Sequence, residues 1–271
     1  MNDSQPNRTG GYVDQPFVAE LYDQVPLHGQ RGDTGFYVEC AKEFGEPVLE
    51  LGCGTGRILL EIARAGIDIT GLDLSEPMLK VCRKRVGAEP ADVQERVTLL
   101  EACMTDFDLG RRFKLITVPF RAFQHLVTVD DQLNCLAAVR DHLDDDGRFV
   151  VDLFNPSLAV LTDEKYKQEW GEEPDFSLSD GTTVRRRFLT KEVDLHNQIV
   201  EAEIIYYKSH PDGHTEKLAH NFPIRYSFRY EMEHLLVRSG LQVEALYAGF
   251  QRQPFGSVYP GELIFVARRS C

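Results

Sequence analysis

A chain of 271 residues with 42% hydrophobic content and a formal charge of −13 can bury one large core, or one core with a subdomain, and lacks the basic balance that nucleic acid requires. Its six cysteines (Cys40, Cys53, Cys82, Cys103, Cys135, Cys271) show no C-x-x-C spacing, which argues against a metal site or a disulfide framework. No run approaches the roughly 18 apolar residues of a membrane span, so a soluble, reducing, cytoplasmic setting without a membrane partner is expected.

Residues 1–11 are polar and glycine-rich and are expected to lie loose. Phe17, Val18, Leu21 and Tyr22 predict a helix over 14–25, and Phe36, Val38, Cys40 and Ala41 a second over 33–44. Val48, Leu49 and Leu51 then form a short apolar run, and from Ile58 through Leu59, Ile62 and Ala63 the spacing turns helical. Between them, Gly52, Gly54 and Gly56 make a surface without Cβ atoms on which a ligand can lie. A dinucleotide fingerprint, G-x-G-x-x-G, wants glycine at 57; this chain has Arg57 there and Glu50 at the strand end, where a pyrophosphate would be repelled. An acid at that place suits a cationic ligand. The second strand, 67–73, carries Asp73 at its tip, the place for a carboxylate that accepts both ribose hydroxyls, so the ligand is read as a nucleoside.

Ser75 is placed to cap a helix over 76–86 whose Met78, Leu79 and Cys82 face the sheet. A third strand follows at 97–100 and a fourth at 115–118. Ligands of open parallel sheets lie outside the carboxyl ends of the strands, so the segment from Pro119 to Leu126 is expected to face the reacting group. His125 there suits proton transfer near neutral pH, the alternative being a helix-start histidine bonded to backbone; Phe120 and Phe123 read equally as core or as cavity wall. A helix over 130–143 ends in Asp144-Asp145-Asp146-Gly147, read as a solvent-facing acidic turn with a left-handed glycine stop. The fifth strand, 148–154, places Asp152 and Asn155 at the functional end, toward the acceptor.

Runs 182–193, 198–209 and 215–228 alternate as strands separated by turn formers, predicting an antiparallel meander. Arg185-Arg186-Arg187 reads as a solvated charge run, with an acidic acceptor as the alternative. His196, His210, His214 and His220 have turn spacings, so no metal is expected. A helix at 229–238 and strands at 241–248 and 263–267 finish the chain.

Glu50-Leu51-Gly52-Cys53-Gly54-Thr55-Gly56 resembles the first motif of the class I S-adenosylmethionine-dependent methyltransferases, and Gly71-Leu72-Asp73-Leu74-Ser75-Glu76-Pro77-Met78-Leu79 resembles their second. The nearer likeness is to amino-sugar N,N-dimethyltransferases and glycine/sarcosine N-methyltransferases. It covers roughly residues 12–153 and returns in the last forty. The resemblance implies an α/β fold with a Rossmann-like seven-stranded sheet, helices on both faces, an antiparallel last strand and the meander inserted after the fifth strand. Residues 1–45 would form a helical lid, and 46–155 with 228–271 the cofactor-binding core. Residues 156–227 would form a β subdomain that roofs the acceptor or pairs two subunits as a homodimer.

By the same resemblance, Glu50, Gly52, Cys53, Gly54, Gly56, Asp73 and Leu74 would hold S-adenosyl-L-methionine, with Met78 at the ribose or adenine edge and Val118 and Phe120 at the end of the fourth strand. The lid would bring Tyr12, Tyr22, Arg31 and Tyr37 near, with Arg31 on the cofactor carboxylate; for each, core packing or plain surface exposure is the alternative. Relatives often carry Gly-Asp-Met where this chain has Ala102-Cys103-Met104; a thiol is a weak acceptor, so adenine recognition would fall to backbone groups of Cys103 and Met104. Tyr12, Arg121, Phe123, Asn155 and Arg252 are implied on the acceptor side, and His125 as the base. The implied reaction is in-line displacement onto the nitrogen or oxygen of a small-molecule acceptor. A protein methyltransferase and a non-catalytic cofactor-binding interaction module are the alternatives; Glu50 and Arg57 oppose a nicotinamide enzyme.

Overall fold

In a computed structural model, which describes residues 10–171 and 173–270, the organising strand is β1 (Val48–Leu51), buried along its whole length. A strand buried on both faces needs parallel neighbours and helices on either side. β1 pairs in parallel with β2 (Ile69–Asp73) and with β4 (Phe113–Val118). β3 (Val97–Glu101) extends one edge, and β5 (Leu143–Phe154) continues the other. Beyond β5 lie β11 (Glu262–Arg269), antiparallel to both its neighbours, and β10 (Leu241–Tyr247). The order β10-β11-β5-β4-β1-β2-β3 is the Rossmann-like arrangement expected, last strand included.

Alternation along the strands splits the core into two layers. Val48, Leu115, Val150 and Ile264 face α3 (Asp33–Phe44), α4 (Leu59–Arg64) and α5 (Glu76–Val86) through Tyr37, Ile62 and Leu79. Leu49, Ile116, Phe149 and Phe265 face α7 (Val129–His142) and α9 (Arg229–Arg238) through Leu136 and Met232. The short α6 (Ala91–Gln94) joins α5 to β3. Among the described residues, no helix is long and apolar enough to cross a membrane.

The helix predicted over 14–25 is two pieces, α1 (Phe17–Tyr22) and α2 (Pro26–Gln30). Val25 is extended and Pro26 opens the second, because the residue before a proline is pushed out of the helical region. The expected left-handed stop at Gly147 is absent. Leu143 already pairs with Phe113, so β5 begins there, and a Cβ at Gly147 would lie 2.9 Å from the Phe113 carbonyl oxygen. Close strand approach, not helix termination, requires that glycine. Of the acidic turn, Asp144 and Asp145 pair with Lys114 at 3.1 Å and Arg112 at 2.8 Å. Of the residues expected to lie loose, 1–9 fall outside the described residues, as does Cys271.

After β5 and the short α8 (Leu158–Thr162), a second sheet of order β6-β7-β8-β9 is inserted. It comprises the predicted meander, β7 (Thr183–Asp194), β8 (Ile199–Ser209) and β9 (Thr215–Arg225), with an additional two-residue strand β6 (Phe176–Ser177) at its edge. Leu21 of α1 packs on Val184 and Tyr206, and Gln124 bridges both sheets, donating to the Arg225 carbonyl (3.2 Å) and accepting from the Phe154 amide (2.9 Å).

Candidate active site

The glycine loop leaves β1 with φ of 71°, 55° and 80° at Gly52, Gly54 and Gly56. Their functions differ. A Cβ at Gly52 would lie 2.9 Å from Ala122 Cβ and one at Gly56 2.6 Å from Cys82 Sγ, whereas one at Gly54 would meet nothing within 4 Å. Gly52 and Gly56 close the loop onto the core, and Gly54 presents bare backbone to a cavity. The tip of β2 meets it: the Gly54 amide donates to Asp73 Oδ2 (2.7 Å) and the Ser75 amide to Oδ1 (2.8 Å). With a further bond from the Leu74 amide, the carboxylate still keeps acceptor capacity for a ribose hydroxyl. Burial raises the Asp73 carboxyl, and the amides of Ser75 and Gly54 counter that.

Glu50 is 2% exposed, burial pushes its carboxyl well above the ordinary range, and its Oε2 has no partner. A buried acid left this way is made for a cationic neighbour, which restores its charge. It lies behind the loop rather than in the cavity lining.

The cavity gathers Tyr12, Tyr22, Gly52, Gly54, Asp73, Leu74, Met78, Cys103, Met104, Phe120 and His125, eleven residues expected from sequence. Leu72, Ser75, Ala102, Pro119, Ala122 and Leu126 join them; their places beside Asp73, Cys103 and His125 were the available signal. Cys103 Sγ lies 3.0 Å from Thr105 Oγ1, so its thiol is engaged locally, and Ala102, Met104 and Leu126 line the cavity with it. At the opposite end, Tyr12, Tyr22, Phe120 and His125 form a ring-lined wall, with Tyr12 5.8 Å from His125 and Tyr22 6.0 Å from Phe120.

His125 is pushed down to about 4, first by burial and then by His220, against a bond to the Pro223 carbonyl. Its ring is therefore neutral, and Nδ1 has no partner. His220, reaching in from β9, donates from Nε2 to the Gly10 carbonyl (2.6 Å), and its ring lies tilted against Tyr12 at 4.8 Å. Burial likewise pushes His28 down to about 3; its Nδ1 donates to the Tyr22 carbonyl (2.9 Å).

Other expected residues sit elsewhere. Arg31, anticipated on the cofactor carboxylate, is held by Asp152 (2.7 Å) and Glu262 (3.2 Å) and is absent from the lining. Tyr37 and Asp152, anticipated near ligand and acceptor, bind each other instead, hydroxyl to carboxylate at 2.6 Å. Arg121 pairs with Glu262 (2.8 Å), Arg252 with Glu43 (2.5 Å), and the Asn155 amide donates to the Pro260 carbonyl (2.5 Å). Val118 and Phe123 are wholly buried core, and Cys53 and Gly56 back the loop against Cys82. The arginine run divides by strand alternation: Arg185 pairs at the surface with Asp175 (2.8 Å). Arg186, read as solvated, is 4% exposed between Phe188 and Tyr206 and paired with Glu173 (2.7 Å). Of the four histidines, His220 turns inward while His210 stacks on His214 in the β8–β9 turn.

A glycine cradle at the end of the first strand, an acid lining the cavity at the tip of the second and an antiparallel last strand are the Rossmann-like methyltransferase arrangement. Residues 48–147 match the methyltransferase-domain family. The chain is 26% identical over 245 residues to dTDP-3-amino-3,6-dideoxy-alpha-D-glucopyranose N,N-dimethyltransferase of Streptomyces fradiae, covering 86% of each chain. It is 29% identical over 140 residues to dTDP-3-amino-3,4,6-trideoxy-alpha-D-glucopyranose N,N-dimethyltransferase of Streptomyces venezuelae, covering 49% of this chain and 56% of that one. Among solved structures, the CcbJ methyltransferase of Streptomyces caelestis superposes with a TM-score of 0.75 at 24% identity, covering 98% of this chain and all of the other. Streptomyces venezuelae DesVI gives 0.71 at 23%, covering 93% and 98%. The chain is an S-adenosyl-L-methionine-dependent methyltransferase, and its own residues fit that cofactor: the open face at Gly54 and the acceptor capacity of Asp73 beside it.

Proposed function

We propose that this enzyme methylates the amine nitrogen of a small, sugar-like acceptor. The observation that carries the choice of nitrogen is the neutral, buried His125 at the ring-lined end of the cavity. The bound cofactor supplies a methyl group on a cationic sulfur. A bond forms from the acceptor nitrogen to that carbon, and the carbon–sulfur bond breaks with its electrons going to sulfur. An amine attacks through its existing lone pair and sheds its proton afterwards, whereas a hydroxyl must lose its proton as it attacks. A histidine pushed down to about 4 is a poor base for the second task but serves as hydrogen-bond acceptor for an N–H in the first. Most of the acceleration then comes from alignment, for which effective molarities allow about 7–11 kcal/mol.

Among the described lining residues Asp73 is the one acid, so the acceptor end offers aromatic faces and imidazole rather than a counter-charge. That favours an acceptor entering as the uncharged amine. The relatives' acceptors, as named, are dTDP-linked amino sugars, which agrees with this chemistry. Residues 156–227 read best as the acceptor roof, because His220 and Phe222 of β9 stand 4.8 Å from Tyr12 and 5.5 Å from His125. The test is incubation with S-adenosyl-L-methionine and a panel of dTDP-amino sugars and the corresponding hydroxy sugars, following S-adenosylhomocysteine. Turnover confined to hydroxy sugars, or to none of the panel but to a peptide, would sink the proposal. His125→Ala should lower amine turnover by less than about a hundredfold, the low end for lost acid–base catalysis.

A further inference from the structure

Phe120 and Arg121, neither a glycine, have φ of 55° and 66° in succession at the carboxyl end of β4. A side chain with a Cβ disfavours that region, and such a turn persists only where its surroundings hold it. The holder here is Asp152, wholly buried at the end of β5. Its Oδ1 accepts from the Phe120 amide (2.7 Å) and the Tyr37 hydroxyl (2.6 Å), and its Oδ2 from Arg31 Nη2 (2.7 Å). The ring so placed carries two guanidiniums against it, Arg31 at 4.8 Å and Arg57 at 4.9 Å, and it lines the cavity. Arg57 is fixed in turn by a two-pronged pair with Asp33 at 2.6 Å.

We propose that Asp152 is a positioning residue for methyl transfer. It holds Phe120 against the bound cofactor and, through Arg31 and Tyr37, fastens the N-terminal helices to the same point of the sheet. Glycine at 120 would adopt the turn without strain but would supply no ring, so the disfavoured backbone is retained for the side chain it carries. Arg31, by this account, serves the cofactor at one remove, by fixing the wall rather than gripping the carboxylate. The inference rests on the assignment of the cavity to S-adenosyl-L-methionine.

The test is calorimetry with S-adenosylhomocysteine on the full chain and on Asp152→Asn, Phe120→Gly and the double variant. Asn cannot accept from Arg31 where its own amide donates, so Asp152→Asn should bind about tenfold more weakly. Phe120→Gly should show a similar loss together with a raised melting temperature. If Asp152 acts through Phe120, the double variant binds no worse than Phe120→Gly alone. Tyr37→Phe, which removes one donor without stranding a charge, is the second probe and should weaken binding about threefold. Losses that multiply in the double variant, or wild-type affinity in both Asp152→Asn and Tyr37→Phe, would overturn the proposal. Absence of binding by the unsubstituted enzyme would instead overturn the cofactor assignment, and this inference with it.

Discussion

The Ser75 hydroxyl donates to the Tyr12 carbonyl across 3.1 Å, tying the turn after β2 to the glycine strap that precedes α1. The same oxygen accepts from the Met78 amide (3.4 Å) as the cap of α5, and the Ser75 amide holds Asp73. One residue thus joins Asp73, a helix start and the Tyr12 segment that lines the cavity. Ser75→Ala should cost about 1 kcal/mol through the lost cap, seen as a fall of about 2–4 °C in Tm. It should also weaken S-adenosylhomocysteine binding, because the strap loses its tether. A melt unchanged within error would contradict the capping role.

Asp73→Ala removes the acceptor that the reading of the cavity assigns to the ribose hydroxyls. Hydrogen bonds to a charged group contribute roughly 1.5–3 kcal/mol, so affinity for S-adenosyl-L-methionine should fall about 10–100-fold in calorimetry. A deoxyribose analogue of the cofactor should show little further loss with the variant, since the partner of those hydroxyls is already gone.

Cys103→Asp places a strong acceptor where the thiol now engages only Thr105. With about 0.5–1.5 kcal/mol available for one such bond, binding of the adenine nucleoside should tighten about 3–10-fold. Unchanged affinity would mean that the adenine amine is satisfied elsewhere.

Acid should destabilise the enzyme over a defined window. Burial pushes His125 and His220 down to about 4, below the 6.5 of an unstructured histidine. The unfolded chain therefore binds more protons than the folded one between those values, so stability is full above about 6.5 and is lost progressively as pH falls to about 4. At about 1.4 kcal/mol per unit, His220 alone accounts for at most about 3 kcal/mol. His220→Gln should flatten that part of the Tm-against-pH curve; an equally steep curve would locate the effect elsewhere.

Much of the fold was legible because its signals are local. The bounds of α3 and α5 coincide with those read from apolar spacing and the Ser75 cap, and the glycine loop announced itself by residues that adopt its φ values without strain. The break between α1 and α2 was also written locally, in Pro26, but the helical spacing on its amino-terminal side overrode it. The misread residues depend on partners distant in sequence. Asp152 looks like an acceptor ligand until Arg31, Tyr37 and the Phe120 amide close on it. Gly147 mimics a helix stop although its reason is the facing carbonyl of Phe113. No composition rule foretells left-handed backbone at Phe120 and Arg121, because tertiary contacts impose it.

The two sheets meet at Gln124, whose one amide group touches the last residues of both β5 and β9. The glycine loop and Asp73 belong to the larger sheet, while His220 and Phe222 arrive on the smaller one. Evolution is thereby given a hinge of inheritance: the ceiling's inward residues can be rewritten for a new guest molecule while the donor's berth stays as it was, provided that this single glutamine keeps both neighbours in register.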